Sequence, residues 1–289
     1  MTTNSWQRLS AREAGLSIDE TQFDTAAPHI ARPLRDWIQQ YSTAHFSSRV
    51  LLKLRIPSDG SDATSQLSDR TADEQLLDVI DCMLHLDITG EAFRDSFYRG
   101  GIEHDPAAQL VEILEDGNSA YTVAVGPDER AYLQRTVDPT VTTAATGAQQ
   151  AAVAAGRPDA AAHLASAWAK AYAREADPSG SYTDSVKAVE DVALPLLLLP
   201  QNKPTLGTVL RELREHPDQF ELVILGGNAE PAGPEAFKAM ATLLWEGHRD
   251  RHPGGLTSAP VTLEAAQAAV HLAVTLVQWI ATETIRRKP

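Results

Sequence analysis

Apolar and polar positions repeat with a helical period along most of this chain. In "ARPLRDWIQQYSTAHF", Leu34, Trp37, Ile38 and Tyr41 recur at spacings of three, one and three, which predicts one helix with a single buried face. "SSRVLLKLRIP" is a short branched-aliphatic run that fits either a buried strand or a helix. Residues 57–71 hold turn formers, aspartates and serines without a periodic core, which predicts a surface loop that tolerates shortening. "ADEQLLDVIDCMLHL" brings Leu76, Leu77, Ile80 and Leu84 together on a helix. "DPAAQLVEILEDG" predicts a short helix that starts at Asp105 and Pro106 and stops at Gly117. In "SAYTVAVGPDERAYLQRTV" the period changes, and two β-rich runs flank Gly126-Pro127-Asp128-Glu129 as a hairpin. A helix followed by a hairpin can form part of a winged helix. The acidity of this half favours a two-stranded flap over a helical core instead.

Beyond residue 157 the pattern is almost wholly helical. Leu164, Trp168 and Tyr172 repeat every four residues after Pro158. Tyr182, Val186, Val189 and Ala193 align ahead of an expected break at Pro195. Leu206, Val209, Leu210 and Leu213 form a third stripe, and Phe237, Met240, Ala241 and Leu244 a fourth. The final helix is capped by Thr262, with Glu264 at its positive end and Arg286 and Arg287 at its negative end. Its Ala266, Val270, Ala273, Val274, Val277 and Ile280 make a wide apolar stripe, so both sides are expected to pack, one of them in a homodimer. The alanine-rich stretch before Pro158 reads as a linker or connecting helix. The expected organisation is an N-terminal α+β region with a β-hairpin over 1–140, a connection over 141–157 and a helical bundle over 158–289, a mainly α protein.

Charge and cysteine narrow the function. The formal net charge is −14, of which residues 1–159 carry −11, so contact with nucleic acid requires a local basic patch. Cys82 is the single cysteine, which excludes an intramolecular disulfide and a multi-cysteine zinc site. "MTTNSWQRLSAREAG" lacks the apolar core of a signal peptide, and the longest aliphatic run, Leu194–Leu199, is interrupted by Pro195. The expectation is a cytoplasmic protein with no membrane partner.

The order "HLASAWAKAYAREADPSGSYTDSVKAVEDVALPLL", "TLGTVLREL", a helix ending in "GHRDRHPGG" and a long alanine-rich terminal helix resembles the C-terminal domain of abortive-infection proteins. "LVEILEDGNSAYTVAVGPDERAYLQR" is similar to the region preceding that domain in related actinobacterial and phage-encoded proteins. The first 100 residues carry no resemblance. What the resemblance implies is a HEPN-like helical bundle, a role in phage defence, a dimer and a metal-independent endoribonuclease. The motif it implies is an arginine followed, after four to six intervening residues, by a histidine. In such chemistry imidazole serves as base near a 2′-hydroxyl, and guanidinium forks onto the phosphate.

That motif is broken in "GHRDRHPGG": Arg249 precedes His252 by three residues and Arg251 is adjacent to it. Matching spacings occur at Arg99 and His104, Arg157 and His163, and Arg211 and His216, about as often as 19 arginines and 9 histidines produce by chance. The cluster has three readings. It is an RNA site with His252 and Arg249 catalytic and Arg251 and His248 on phosphate. It is a metal site on His248 and His252, which Gly247 and Pro253 disfavour, so no metal or other cofactor is expected. Or it is a helix end of mutually paired charges, in a catalytically inactive module that binds a protein partner. In the first reading the cluster faces an open groove. His163 and His271 read as partly buried, hydrogen-bonded histidines, and Trp168, Trp245 and Trp279 as core or interface anchors.

Overall fold

The computed structural model describes residues 13, 22–86, 106–198, 204–226, 232–248 and 260–288. The chain is mainly helical and divides into two compact units, residues 1–123 and 124–289.

In the first unit, helix α1 (Pro28–Tyr41) begins with a proline in its first turn and buries Ile30, Leu34, Trp37, Ile38 and Tyr41. Helix α2 (Ala44–Lys53) is the branched-aliphatic run; Thr43 caps it by accepting from the Phe46 amide at 3.2 Å. Segment 57–71 differs from the expected loop, because it contains helix α3 (Ala63–Asp69), capped by Asp62. Leu67 is fully buried, and Ser47 and Thr64 share a 2.9 Å hydrogen bond. The Arg35 guanidinium of α1 donates to the carbonyls of Ser68 and Thr71 and to the Asp73 carboxylate at 2.6–2.7 Å. One leucine and a set of polar ties hold this helix, so no periodic stripe announces it. Helix α4 (Leu76–Leu86) buries the four expected residues. Helix α5 (Pro106–Asp116) ends at Gly117, where a Cβ would overlap the Ile30 side chain. It is tied to α1 by Trp37 Nε1 to the Pro106 carbonyl, 2.9 Å, and by the Tyr41 hydroxyl to Gln109, 2.7 Å.

Strands β1 (Tyr121–Val125) and β2 (Ala131–Arg135) form the hairpin. In the second unit, helix α6 (Pro139–Ala154) follows, with Asp138 as its cap. It buries Ala145, Ala148 and Ala152 and packs against helix α7 (Pro158–Tyr172) and helix α11 (Leu263–Ala281). The segment expected to connect two domains therefore belongs to the bundle, and the division falls earlier, between Val123 and Ala124. Alanines leave little apolar contrast to read along a sequence, yet they let helices approach closely. β2 lies on α7: Leu133 is fully buried, and its carbonyl accepts from the Arg174 amide at 3.0 Å.

Helix α8 (Pro178–Leu197) runs through Pro195 instead of breaking there. A proline in the last turn removes only the bond to the Asp191 carbonyl, and the helix ends two residues later. Helix α9 (Leu206–Glu215) packs on α8 and on helix α10 (Glu235–Gly247), α10 packs in turn on α11, and strand β3 (Phe220–Leu222) follows α9. The six stripe residues of α11 are all buried, against α6, α7, α8 and α10 of the same chain. The surface that motivated a dimer is thus used within the chain. Among the described residues α11 alone is long and apolar enough to cross a membrane, and it is this buried core helix.

Arg286 and Arg287 are not the end of the last helix. α11 stops at Ala281, Glu283 takes a left-handed φ of 55°, and strand β4 (Ile285–Arg287) pairs antiparallel with β3. Arg286 meets Glu221 at 2.7 Å. Arg287 meets Glu212 at 3.0 Å, also bonds Gln219, and lies over the Phe220 ring at 5.4 Å.

Candidate functional site

α10 carries the polar cluster at its C-terminal end. Of the four residues singled out there, His248 is described, while Arg249, Arg251 and His252 lie outside the described residues. His248 caps α10 and is held against α8, while the open groove expected around His252 lies outside the described residues. Its ring stacks on Tyr182 with centroids 5.7 Å apart and planes 4° from parallel. Its Nε2 lies 3.2 Å from Thr183 Oγ1. The Tyr182 hydroxyl donates to the Leu244 carbonyl at 3.1 Å, and burial pushes its pKa up. Gly247 permits this closeness, since a Cβ there would overlap the Tyr182 hydroxyl.

The short motifs behind the family resemblance turn out to be joints of one frame. Glu190 of "KAVE" accepts from the Leu206 amide at 2.8 Å, so α8 supplies a carboxylate to the N-terminus of α9. Gly207 of "TLG" leaves room for the indole of Trp245, whose atoms lie 3.0–3.2 Å from where a Cβ would sit. Tyr182 and Thr183 of "SYTDS" hold His248. Together α8, α9 and α10 fix the point from which residues 249–259 depart, and Thr262, which accepts from the Ala265 amide at 3.2 Å, fixes the helix that follows them.

A second polar assembly joins α7 to α8, and sequence reasoning missed it. His163 Nδ1 lies 2.7 Å from Asp191. Ser166 donates to Asp184 at 2.7 Å, and Lys170 and Lys187 approach the same carboxylate at 2.6 and 3.4 Å. Burial by itself would raise the Asp184 pKa; the bonds from Lys170 and Ser166 and the two lysine charges outweigh it and hold the carboxyl below its ordinary value. The signal was present as matching spacings, 163-166-170 on one helix and 184-187-191 on the other. It becomes visible only when the two helices are known to be neighbours. Each carboxylate has its cation or imidazole, so the seam is an interhelical tie.

Arg99 and His104 lie outside the described residues, and the remaining described candidates sit as structural groups. His271 shares a 2.7 Å hydrogen bond with the Tyr172 hydroxyl and lies edge-on to Trp168. Arg211 is exposed and His216 caps the end of α9. Arg157 precedes α7, and its Nε is buried without a partner among the described residues. Cys82 is buried; burial and the neighbouring Asp81 charge push its thiol up to about 11, which keeps it unreactive. No protein-family model, curated protein or solved structure matches the chain.

Proposed function

We propose that this chain is an abortive-infection-type effector whose C-terminal helical bundle is HEPN-like and binds or cleaves RNA through residues 249–252. The observation that carries the reading is the frame itself: the residues that bear the resemblance are those that join α8, α9 and α10 and anchor the segment holding Arg249, Arg251 and His252. In this reading His252 acts as base or acid, Arg249 and Arg251 bind phosphate, and His248 holds the segment to the bundle. The effector works in the cytoplasm as a homodimer, which brings two copies of the cationic segment together. The test is expression of wild type and His252→Ala side by side, following growth and cellular RNA integrity. Growth arrest with RNA cleavage in wild type alone supports catalysis. Intact RNA in both removes it.

A second reading is favoured by the charge. With a net −14 and the arginines of "HRDRH" set beside an aspartate, the bundle would serve as an inactive module for a protein partner. Short-RNA binding at low salt decides between the two, because the module predicts no difference between wild type and Arg249→Ala/Arg251→Ala.

A further inference from the structure

The β1–β2 hairpin, α6 and α7 enclose a cleft of about 330 Å³, a volume within the range of small-molecule sites. Among the described residues no charged side chain lines it. Its polar groups are Tyr132 and Gln134 from β2, Thr146 and Gln149 from α6, and the indole of Trp168 from α7.

The orientation of Gln134 is determined by its neighbours. The Trp168 Nε1–H can only donate, so the Gln134 atom facing it at 3.1 Å is Oε1. The Tyr132 hydroxyl donates to the same oxygen at 3.1 Å. With both donors on the oxygen, the Nε2 amino group is directed away from them. Among the described residues it has no protein partner; Gln134 as a whole is only 8% exposed, and the solvent contact it keeps includes this nitrogen. A donor at so narrow an opening is satisfied by water or by a ligand group that accepts from it. Across the cleft, the Gln149 carboxamide also has no partner among the described residues. Thr146 gives its hydroxyl hydrogen to the Thr142 carbonyl at 3.1 Å, which leaves its lone pairs available.

We propose that this cleft binds an uncharged ring carrying adjacent C=O and N–H groups, the edge presented by a uracil or guanine base. Gln134 Nε2 donates to a ring carbonyl. Gln149 can both donate and accept, as a two-point contact with such an edge requires. An ionic ligand would shed its hydration with no countercharge to receive it. One face of Trp168 is taken by Tyr172, with centroids 4.6 Å apart, so recognition is through edge hydrogen bonds and not through stacking between rings. The site uses none of the residues of the RNA reading and stands or falls without it.

The full chain is titrated with uridine and with guanosine, following the indole N–H of Trp168 in a ¹H–¹⁵N spectrum assigned with Trp168→Phe. Benzyl alcohol serves as an apolar control. At least one nucleoside is expected to shift the signal saturably, and Gln134→Leu and Gln149→Ala to weaken binding by about tenfold each. If Gln134→Leu does not fold, Gln149→Ala on half-exposed α6 decides alone. Absence of a saturable shift with either nucleoside at millimolar concentration overturns the proposal, and shows that water suffices for the Gln134 amide. Unchanged affinity in the folded glutamine variants, or equal binding of benzyl alcohol, overturns it as well.

Discussion

His271 shows how position within the bundle sets the chemistry of one side chain. It sits on α11 against Trp168 and Tyr172, and burial lowers its pKa below the ordinary 6.5. The unfolded chain therefore takes up a proton on this histidine at a pH where the folded chain does not. Its contribution to stability is complete above about 6.5 and is lost as pH falls from there through the depressed folded value. The melting temperature is expected to fall between pH 7.5 and 5.5, and the fall to be smaller in His271→Gln. Thermal melts across that range check it; parallel curves for the two proteins would show that another group governs the change.

α3 marks the limit of periodicity as evidence. Leu67 is its one large apolar anchor, fully buried, and the rest of its attachment is polar. Leu67→Ala is expected to cost about 2–4 kcal/mol, seen as a lower denaturant midpoint at unchanged slope. A loss below about 0.5 kcal/mol would return the segment to the class of tolerant surface loops. The tie between α7 and α8 belongs to the same scale. Asp184→Asn keeps the shape but removes the charge facing Lys170 and Lys187, and is expected to cost about 1–3 kcal/mol at neutral pH. Because the folded Asp184 carboxyl is held low, its contribution is complete above the ordinary 3.8 and is lost as pH falls through the folded value. The stability gap between wild type and Asp184→Asn should therefore narrow in acid. Urea titrations at pH 7 and pH 3 measure both effects.

For the molecule as a whole, charge decides what an RNA contact can look like. A chain of net −14 repels a polyanion at long range, so attraction has to come from a few local cations. If Arg249 and Arg251 are the phosphate contacts, two neutralised charges on single-stranded RNA predict a fall in affinity of about sevenfold between 50 and 200 mM salt. The Arg249→Ala/Arg251→Ala chain should show almost no salt dependence. Fluorescence anisotropy with a short labelled RNA measures the slope, and a much steeper one would place the contact on a larger basic surface. The apolar stripe of α11 does not contribute to assembly in this picture, since α6, α7, α8 and α10 cover it within the chain.

Much of the helical content was legible in the sequence because it depends on local order. The stripes of α1, α4, α7, α9, α10 and α11 repeat at 3.6 residues, and caps such as Thr262 act within one turn. The hairpin was legible from its turn residues. The candidate site stood out in the sequence only as a dense polar run between two helices, and of its four residues His248 alone is described. What tertiary structure alone decided are the relations between segments distant in sequence. α3 is held by Leu67 in the core and by Arg35 of another helix, which bonds the Ser68 carbonyl in its last turn and the Thr71 carbonyl just beyond it. Arg286 and Arg287 leave the helix for a strand because β3, more than 60 residues earlier, offers Glu221 and a backbone edge. His248 is engaged because α8 places Tyr182 and Thr183 beside it, and the Gln134 amide is oriented because β2 lies on Trp168. Periodicity records which face of an element is buried; it does not record which partner covers that face, and hydrogen bonds between elements depend on the partner.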